Sequence, residues 1–322
     1  MTNNNYPVLI TGVSGFVGRN LKEYLHGQNS FQITGASRSA EKISEIQELT
    51  SVYSYDQLLQ DSSSSYRSYV HLAGKVYDLR EKATREEYIK ANYELTKKLF
   101  DRFCEDPAAD KFVFVSTIHV LTENPDGLIE EGYTPIPVTP YGESKQMAER
   151  YLFDHCPPDK KVYVLRPGMI HGPGNKGNLN MLYKLIEKGL PYPIGAVNNK
   201  RSFVSIENLC FVIREILDRE IDPGLYHISD DEPTNTHELV RQIADSLDKK
   251  ARIWHIPLPL LKLFARIGNV TRFPLNESRL RKLTDDFVIT NEKIKKAIGK
   301  PLPVTAEEGL RRTLLSFRHE NE

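Results

Sequence analysis

Three scarcities in this sequence narrow its class before any motif is considered. Cysteine is rare: Cys104, Cys156 and Cys210 are dispersed and odd in number, so neither a disulfide framework nor a metal site is expected. Net charge is missing, because 43 basic residues balance 43 acidic ones. A nucleic-acid groove would leave a positive excess, so no nucleic-acid partner is expected, although a local basic pocket remains compatible. Long apolar runs are missing too; none reaches the ~18 residues of a membrane span. Residues 256–265 are apolar but too short to cross, and read as a core-facing helix. The opening Met-Thr-Asn-Asn-Asn-Tyr-Pro shows no charged region leading into an apolar core. The expectation is a reduced, cytoplasmic, soluble protein with no membrane partner. Its 322 residues, 39% hydrophobic and 27% charged, allow one large or two modest domains.

What is present begins with a short apolar run at 6–11, typical of a strand buried on both faces. Gly12-Val-Ser-Gly15-Phe-Val-Gly18 follows, and residues 19–26 continue as an amphipathic helix. Glycines at a strand-to-helix turn let the backbone approach a pyrophosphate, whose charge rests on the helix N-terminus. A simple packing turn would read the same way. A second strand at 31–36 ends in Ser37-Arg38, where a dinucleotide fold often carries an acidic residue for the adenosine ribose. A hydroxyl and a guanidinium suit a 2′-phosphate, which tilts the cofactor from NAD toward NADP; a solvated arginine is the alternative.

Residues 41–67 are polar and uneven, and their one low-complexity patch, Ser62–Ser65, reads as a surface loop. A strand at 68–74 follows, then a helix with apolar Tyr88, Leu95, Leu99 and Phe103. The strand at 111–117 ends in Ser116-Thr117, and another lies at 162–166. Strand and helix alternate throughout, the pattern of a doubly wound, Rossmann-type parallel α/β sheet. Past Arg166 the pattern loosens into a loop, a helix at 179–188, an extended piece at 190–195 and further short helices. This predicts a dinucleotide-binding domain of residues 1–168 plus about 201–230. A smaller, mostly helical substrate domain takes about 169–200 and 231–322.

Thr139-Pro140 is a helix start, with Thr139 as N-cap and Pro140 at the first helical position. Four residues apart on one face of that helix stand Tyr141 and Lys145. An ammonium beside a phenol is expected to lower the phenol's pKa toward neutrality, which would make Tyr141 an acid/base. Tyr93 and Lys97 repeat the spacing. Ligands bind at the carboxyl ends of strands in such sheets, and Thr117 closes a strand 24 residues before Tyr141. That selects Tyr141/Lys145 and leaves Tyr93/Lys97 as a structural pair.

The glycine loop, Ser116-Thr117 and Tyr141-x-x-x-Lys145 together resemble the extended short-chain dehydrogenase/reductase family. His71-Leu-Ala-Gly74, Asn92, Arg166-Pro167 and Arg201-Ser-Phe-Val-Ser-Ile-Glu-Asn-Leu209 are similar to its nucleotide-sugar branch, the NAD-dependent epimerases and dehydratases. The likeness runs from about residue 6 to 315. Within the branch, Gly172-Pro-Gly-Asn-Lys-Gly-Asn-Leu179 and Leu190-Pro-Tyr-Pro-Ile-Gly195 look closest to UDP-N-acetylhexosamine 4-epimerases and 4-keto-reductases of surface-polysaccharide synthesis.

The resemblance implies roles residue by residue. Tyr141 would be the acid/base, Lys145 would hold the nicotinamide ribose, and Thr117 would bond the sugar oxygen. Gly12, Ser14, Gly15, Phe16, Val17 and Gly18 would cradle the pyrophosphate, with Ser37 and Arg38 at the adenosine end. Leu72, Ala73, Gly74, Ser116 and Pro167 would line the cofactor, and Asn92 would brace the crevice. Asn178, Tyr192, Ile194 and Arg201 would meet the uridine diphosphate, with Arg279 a second candidate for the phosphates. A homodimer through the helices around 84–104 and 140–155 is also implied.

Two positions depart from the family pattern: Leu121-Thr122 where Tyr-Gly is frequent, and His171 where Tyr is frequent. Both were expected near the sugar. The leading expectation is an NADP- or NAD-dependent reductase of a UDP-4-keto-6-deoxy sugar. The alternatives are a UDP-hexose 4-epimerase, a ketone reductase of steroid or flavonoid type, and a non-catalytic NADP-binding regulator. A 4,6-dehydratase is disfavoured, because Ile118-His119 stand where it would carry an acidic pair.

Overall fold

The protein is described from a computed structural model covering residues 6–27, 30–38, 49–61, 63–76, 83–121, 127–175, 177–270, 277, 280 and 284–319. Strand β1 (Tyr6–Thr11) feeds helix α1 (Phe16–His26), and β2 (Phe31–Ser37) returns beside β1 in parallel. Strand β3 (Ser51–Ser54) and helix α2 (Tyr55–Gln60) occupy the polar, uneven stretch to which the sequence assigns no element. All four β3 residues are only half-buried. A strand this short, without a clean two-residue period, leaves no pattern to detect.

Strand β4 (Ser68–His71) leads to one continuous helical rod. It consists of α3 (Arg85–Tyr88), a π-helical turn (Ile89–Glu94) and α4 (Leu95–Glu105). Strand β5 (Lys111–Val115) is followed by a 3₁₀ turn (Ile118–Val120), β6 (Leu128–Ile129), α5 (Pro140–Asp154) and β7 (Lys161–Pro167). Then come β8 (Met169–His171), α6 (Asn178–Glu187), β9 (Lys200–Arg201), β10 (Phe203–Ser205), α7 (Ile206–Asp218) and β11 (Gly224–Ile228). The chain closes with β12 (Thr234–Asn235), α8 (Thr236–Ser246), α9 (Leu258–Val270), β13 (Val288–Ile289), α10 (Glu292–Ile298) and α11 (Ala306–His319).

Seven of these strands form one sheet in the order β11-β7-β5-β4-β1-β2-β3, every neighbouring pair parallel. This is the doubly wound Rossmann-type sheet that the alternating pattern predicted. Its order reverses direction between β1 and β4, the switch point where a crevice opens. Alternation along the strands builds a core on each face. In β1, Val8 and Ile10 pack with Leu21 and Ile213 on one side, while Leu9 packs with Phe100 and Leu152 on the other.

A separate core serves the C-terminal part, formed by Leu179, Tyr183, Tyr192, Ile243, Leu310 and Phe317, among others. The tail is less fragmented than expected, since α9 and α11 run 13 and 14 residues. Helix α9 meets the reading of 256–265 as core-facing on one side only. Only Leu261 and Ala265 are fully buried, while Leu260, Leu263 and Phe264 are exposed.

Candidate active site

The glycine loop sits at the carboxyl end of β1, where Gly12 adopts φ +72°, in the left-handed region. A Cβ on Gly12 would stand 2.8 Å from the Ala73 backbone nitrogen, and one on Gly18 would collide with the Gly12 carbonyl. Gly15 caps α1 without any side-chain bond to the first-turn N–H groups. The result is a backbone-walled cradle at a helix N-terminus, which fits a pyrophosphate. Ser14 and Ser37 hydroxyls meet across it at 3.2 Å. Arg38 is exposed nearby. Tyr55, which the sequence reading missed, lies beside Gly12 and Arg38, and burial pushes its phenol up to about 12.

Leu72, Ala73 and Gly74 leave the end of β4, and Asn92 fixes the turn that follows. Its Oδ1 accepts from the Lys75 backbone N–H at 2.6 Å, while its Nδ2 donates to the Lys75 carbonyl and to Ser144 Oγ at 3.1 and 3.0 Å. Ser144 in turn donates to the Tyr141 carbonyl at 2.8 Å. Asn92 therefore ties β4 to the start of α5, from a π turn of the kind found at functional sites.

Behind it, Thr96 donates its one hydroxyl proton to the Asn92 carbonyl at 2.5 Å, so at 2.8 Å it must accept from His71 Nε2–H. His71 Nδ1 then accepts from Thr11 at 2.6 Å. The ring is neutral, its pKa held well below 6.5 by burial and by the Lys145 charge.

Helix α5 starts as its sequence specified, Thr139 Oγ1 accepting from the Gly142 N–H at 3.1 Å. Tyr141 hydrogen-bonds the Thr117 side chain, which joins the phenol to the end of β5. The rings of Tyr88 and His119 flank it at 6.0 and 5.9 Å.

Lys145 does not pair with the phenol as expected. Its Nζ donates to the Val115 carbonyl at 3.0 Å and lies 4.5 Å over the Phe114 ring. Burial pushes Tyr141 up to about 12, against the Thr117 hydrogen bond, and pushes Lys145 down to about 8, against the Glu149 carboxylate. The predicted lowering of the tyrosine is thus reversed here, because desolvation outweighs every favourable contact.

Ser116 points to Glu149, donating to it at 2.5 Å, and Arg166 grips the same buried carboxylate through two bonds of 3.0 and 2.6 Å. Arg166 enters the sequence reading only as part of the Arg166-Pro167 motif and Glu149 not at all, although Glu149 lies one helical turn beyond Lys145. Pro167 closes β7 opposite Ile228. The duplicate pair dissolves on inspection: Lys97 bonds Tyr151 and Asp101 at 2.6 and 3.0 Å, and Tyr93 packs against Tyr151.

Of the residues expected to meet the nucleotide, Tyr192 and Arg201 come close enough that the guanidinium opposes the burial that raises Tyr192 to about 12. Burial lowers the Arg201 pKa, against the nearby Asp285 carboxylate. Arg201 Nη2 donates to the Asp285 carbonyl at 3.2 Å. Ile194 is packed into the C-terminal core, and Asn178 is exposed at the first position of α6. Arg279 and Thr122 lie outside the described residues.

His171 is fully buried rather than lining a sugar site. Its Nδ1 meets Thr313 at 2.9 Å, and its Nε2 lies 3.4 Å from Asp230. Among the described residues no group of three or more His, Cys, Asp or Glu could hold a metal ion.

A glycine cradle at a sheet switch point, with a hydroxyl, a phenol and an ammonium converging at the next strand end, defines a dinucleotide-dependent enzyme of the extended short-chain dehydrogenase/reductase class. More particularly, residues 8–229 match the NAD dependent epimerase/dehydratase family, to which the chain belongs. The chain is 28% identical over 337 residues to UDP-glucose 4-epimerase of Vibrio cholerae, covering 98% of this chain and 96% of the relative. It is 27% identical over 326 residues to N-acetyl-alpha-D-glucosaminyl-diphospho-ditrans,octacis-undecaprenol 4-epimerase of Escherichia coli O157:H7, covering 96% and 95%. The fold is shared with UDP-glucose 4-epimerase of Thermotoga maritima in complex with UDP-glucose, at TM-score 0.78 and 20% identity over 98% of this chain and all of the other.

Proposed function

We propose that the protein interconverts a hydroxyl and a ketone at C4 of a UDP-activated hexose or hexosamine, most simply as a 4-epimerase. The observation that carries this is the bonding of Tyr141 to Thr117 at the end of β5, with buried Lys145 one turn away. When bound, the nicotinamide takes up or returns the hydride at C4. Gly12, Gly15 and Gly18 hold its diphosphate on the α1 N-terminus, and Lys145 holds the adjoining ribose. Thr117 orients the sugar oxygen; Tyr141, which burial keeps protonated, gives its proton to that oxygen on reduction, and only as the phenolate takes it back on oxidation. Tyr192 and Arg201 serve the uridine diphosphate, the guanidinium facing the phosphates.

The whole-length likeness to two 4-epimerases supports the epimerase. A second reading, the 4-keto-reductase, is favoured by Ser37-Arg38, because a cofactor with a 2′-phosphate drawn from a reducing pool suits net reduction. Both place the enzyme in polysaccharide synthesis, with residues 1–168 and about 201–230 binding the cofactor and the remainder the sugar. A homodimer through α4 and α5 belongs to the same reading.

The deciding experiment supplies UDP-N-acetylglucosamine and UDP-glucose without added cofactor, beside a UDP-4-keto-6-deoxy sugar with NADPH or NADH. A C4 epimer in the first arm is the expected outcome. Cofactor oxidation in the second arm alone turns the assignment to the reductase, and silence in both removes it.

A further inference from the structure

Helix α9 has a second apolar stripe, and it faces outward. At about 100° per residue, Leu261 and Ala265 form the buried row, whereas Leu260, Leu263, Phe264 and Ile267 line up on another side of the helix. Those four and Trp254, the chain's one tryptophan, are each between 42% and 59% exposed. Lys262 and Arg266 form a row beside the stripe. Among the described residues Arg266 is engaged by a solvent-exposed contact to Glu277 at 3.4 Å.

Charge singles out the same stretch. The whole chain is neutral, yet no acidic residue occurs between Asp248 and Glu277, where Lys249, Lys250, Arg252, Lys262, Arg266 and Arg272 all fall. Residues 252–254, extended through a bridge from Ile253 to Tyr192, precede α9 in the chain. Arg252 and Trp254 are both exposed two residues apart, and a groove of about 430 Å³ lined by Leu190, Lys249, Lys250 and Arg252 adjoins them. An apolar stripe with a basic flank and an exposed tryptophan is what a helix lying in a bilayer interface requires. None of the described helices is long and apolar enough to cross a membrane.

We propose that α9, Trp254 and the basic residues Lys249, Lys250, Arg252, Lys262 and Arg266 form a docking surface for an anionic phospholipid bilayer. The protein lies on the bilayer without spanning it. Residues 252–254 pair with Tyr192, whose N–H donates to the Arg252 carbonyl at 2.8 Å and whose carbonyl accepts from the Trp254 N–H at 2.9 Å. Docking therefore brings the sugar-binding half to the membrane face. This revises the expectation that the protein has no membrane partner, and it holds for either direction of C4 chemistry.

The test uses the full chain with vesicles of mixed phosphatidylglycerol and phosphatidylcholine, and with phosphatidylcholine alone. The protein is expected to sediment with the mixed vesicles and to shift its tryptophan emission to shorter wavelength. Both signals weaken as salt rises. K262E/R266E lowers vesicle affinity by roughly tenfold or more, and L263S/F264S abolishes the emission shift, each with an unchanged melting temperature. No sedimentation and no shift at low salt overturns the proposal. So does a light-scattering result in which L263S/F264S breaks a self-associated form while vesicle binding is unaffected, because the face would then belong to a second copy.

Discussion

Two tyrosine–lysine pairs of identical spacing lie on neighbouring helices of this protein, and only one has the setting for chemistry. Lys145 is buried, bonded to a strand-end carbonyl, and pushed down to about 8. Lys97 is half-buried, and its pKa is raised by hydrogen bonds to Tyr151 and Asp101. Tyr141 meets Thr117 at the end of β5, whereas Tyr93 packs on the Tyr151 ring and the apolar core beside it. Position relative to the sheet edge separates them. Spacing does not.

The largest effect expected from this contrast is on turnover. Y141F should lower kcat by roughly 10²- to 10⁴-fold, the usual worth of a positioned acid/base, while Y93F leaves kcat at the wild-type level. Equal losses in steady-state assays would erase the distinction. Next comes the buried support behind Lys145: E149Q leaves the Arg166 guanidinium uncompensated and should cost about 3–5 kcal/mol of stability. Urea denaturation measures it, and an unchanged midpoint would mean the pair is not sealed from water.

A smaller effect follows from Lys145 itself. The ammonium is charged below about 8 and neutral above it, so kcat/KM should fall as pH rises through that region. A profile that stays level well into the alkaline range would remove Lys145 from the mechanism. Smallest is K97A, for which wild-type kinetics are expected; any shift in its pH profile would reopen the question of which lysine matters.

Much of the fold was legible because local signals agreed with the global pattern. The apolar run at 6–11, the glycine loop and Thr139-Pro140 each specify their element almost alone. Strand β3 was not legible, since an edge strand of four half-buried residues carries no period. Nor was the Glu149–Arg166 pair, which joins residues 17 apart through the tertiary packing of α5 on β7. The pKa order of Tyr141 and Lys145 was misjudged for a related reason. Sequence spacing reports which charges share a helix face, but desolvation depends on everything packed around them. The outward stripe of α9 was hidden differently, because composition marks it as apolar without saying which side the core takes.

The π turn at Ile89–Glu94 carries a further consequence for how this chain tolerates change in length. By adding a residue to one turn, it lets Asn92 face Lys75 and Ser144 while Leu99, Phe100 and Phe103 still reach the sheet core. Deleting a single residue from the regular helix between that turn and Leu99 would swing everything beyond it by about 100°. Either the asparagine or the phenylalanines would then lose their partners. The helix is indexed at this turn, so point substitutions on its outer face are expected to be tolerated where a one-residue deletion is not.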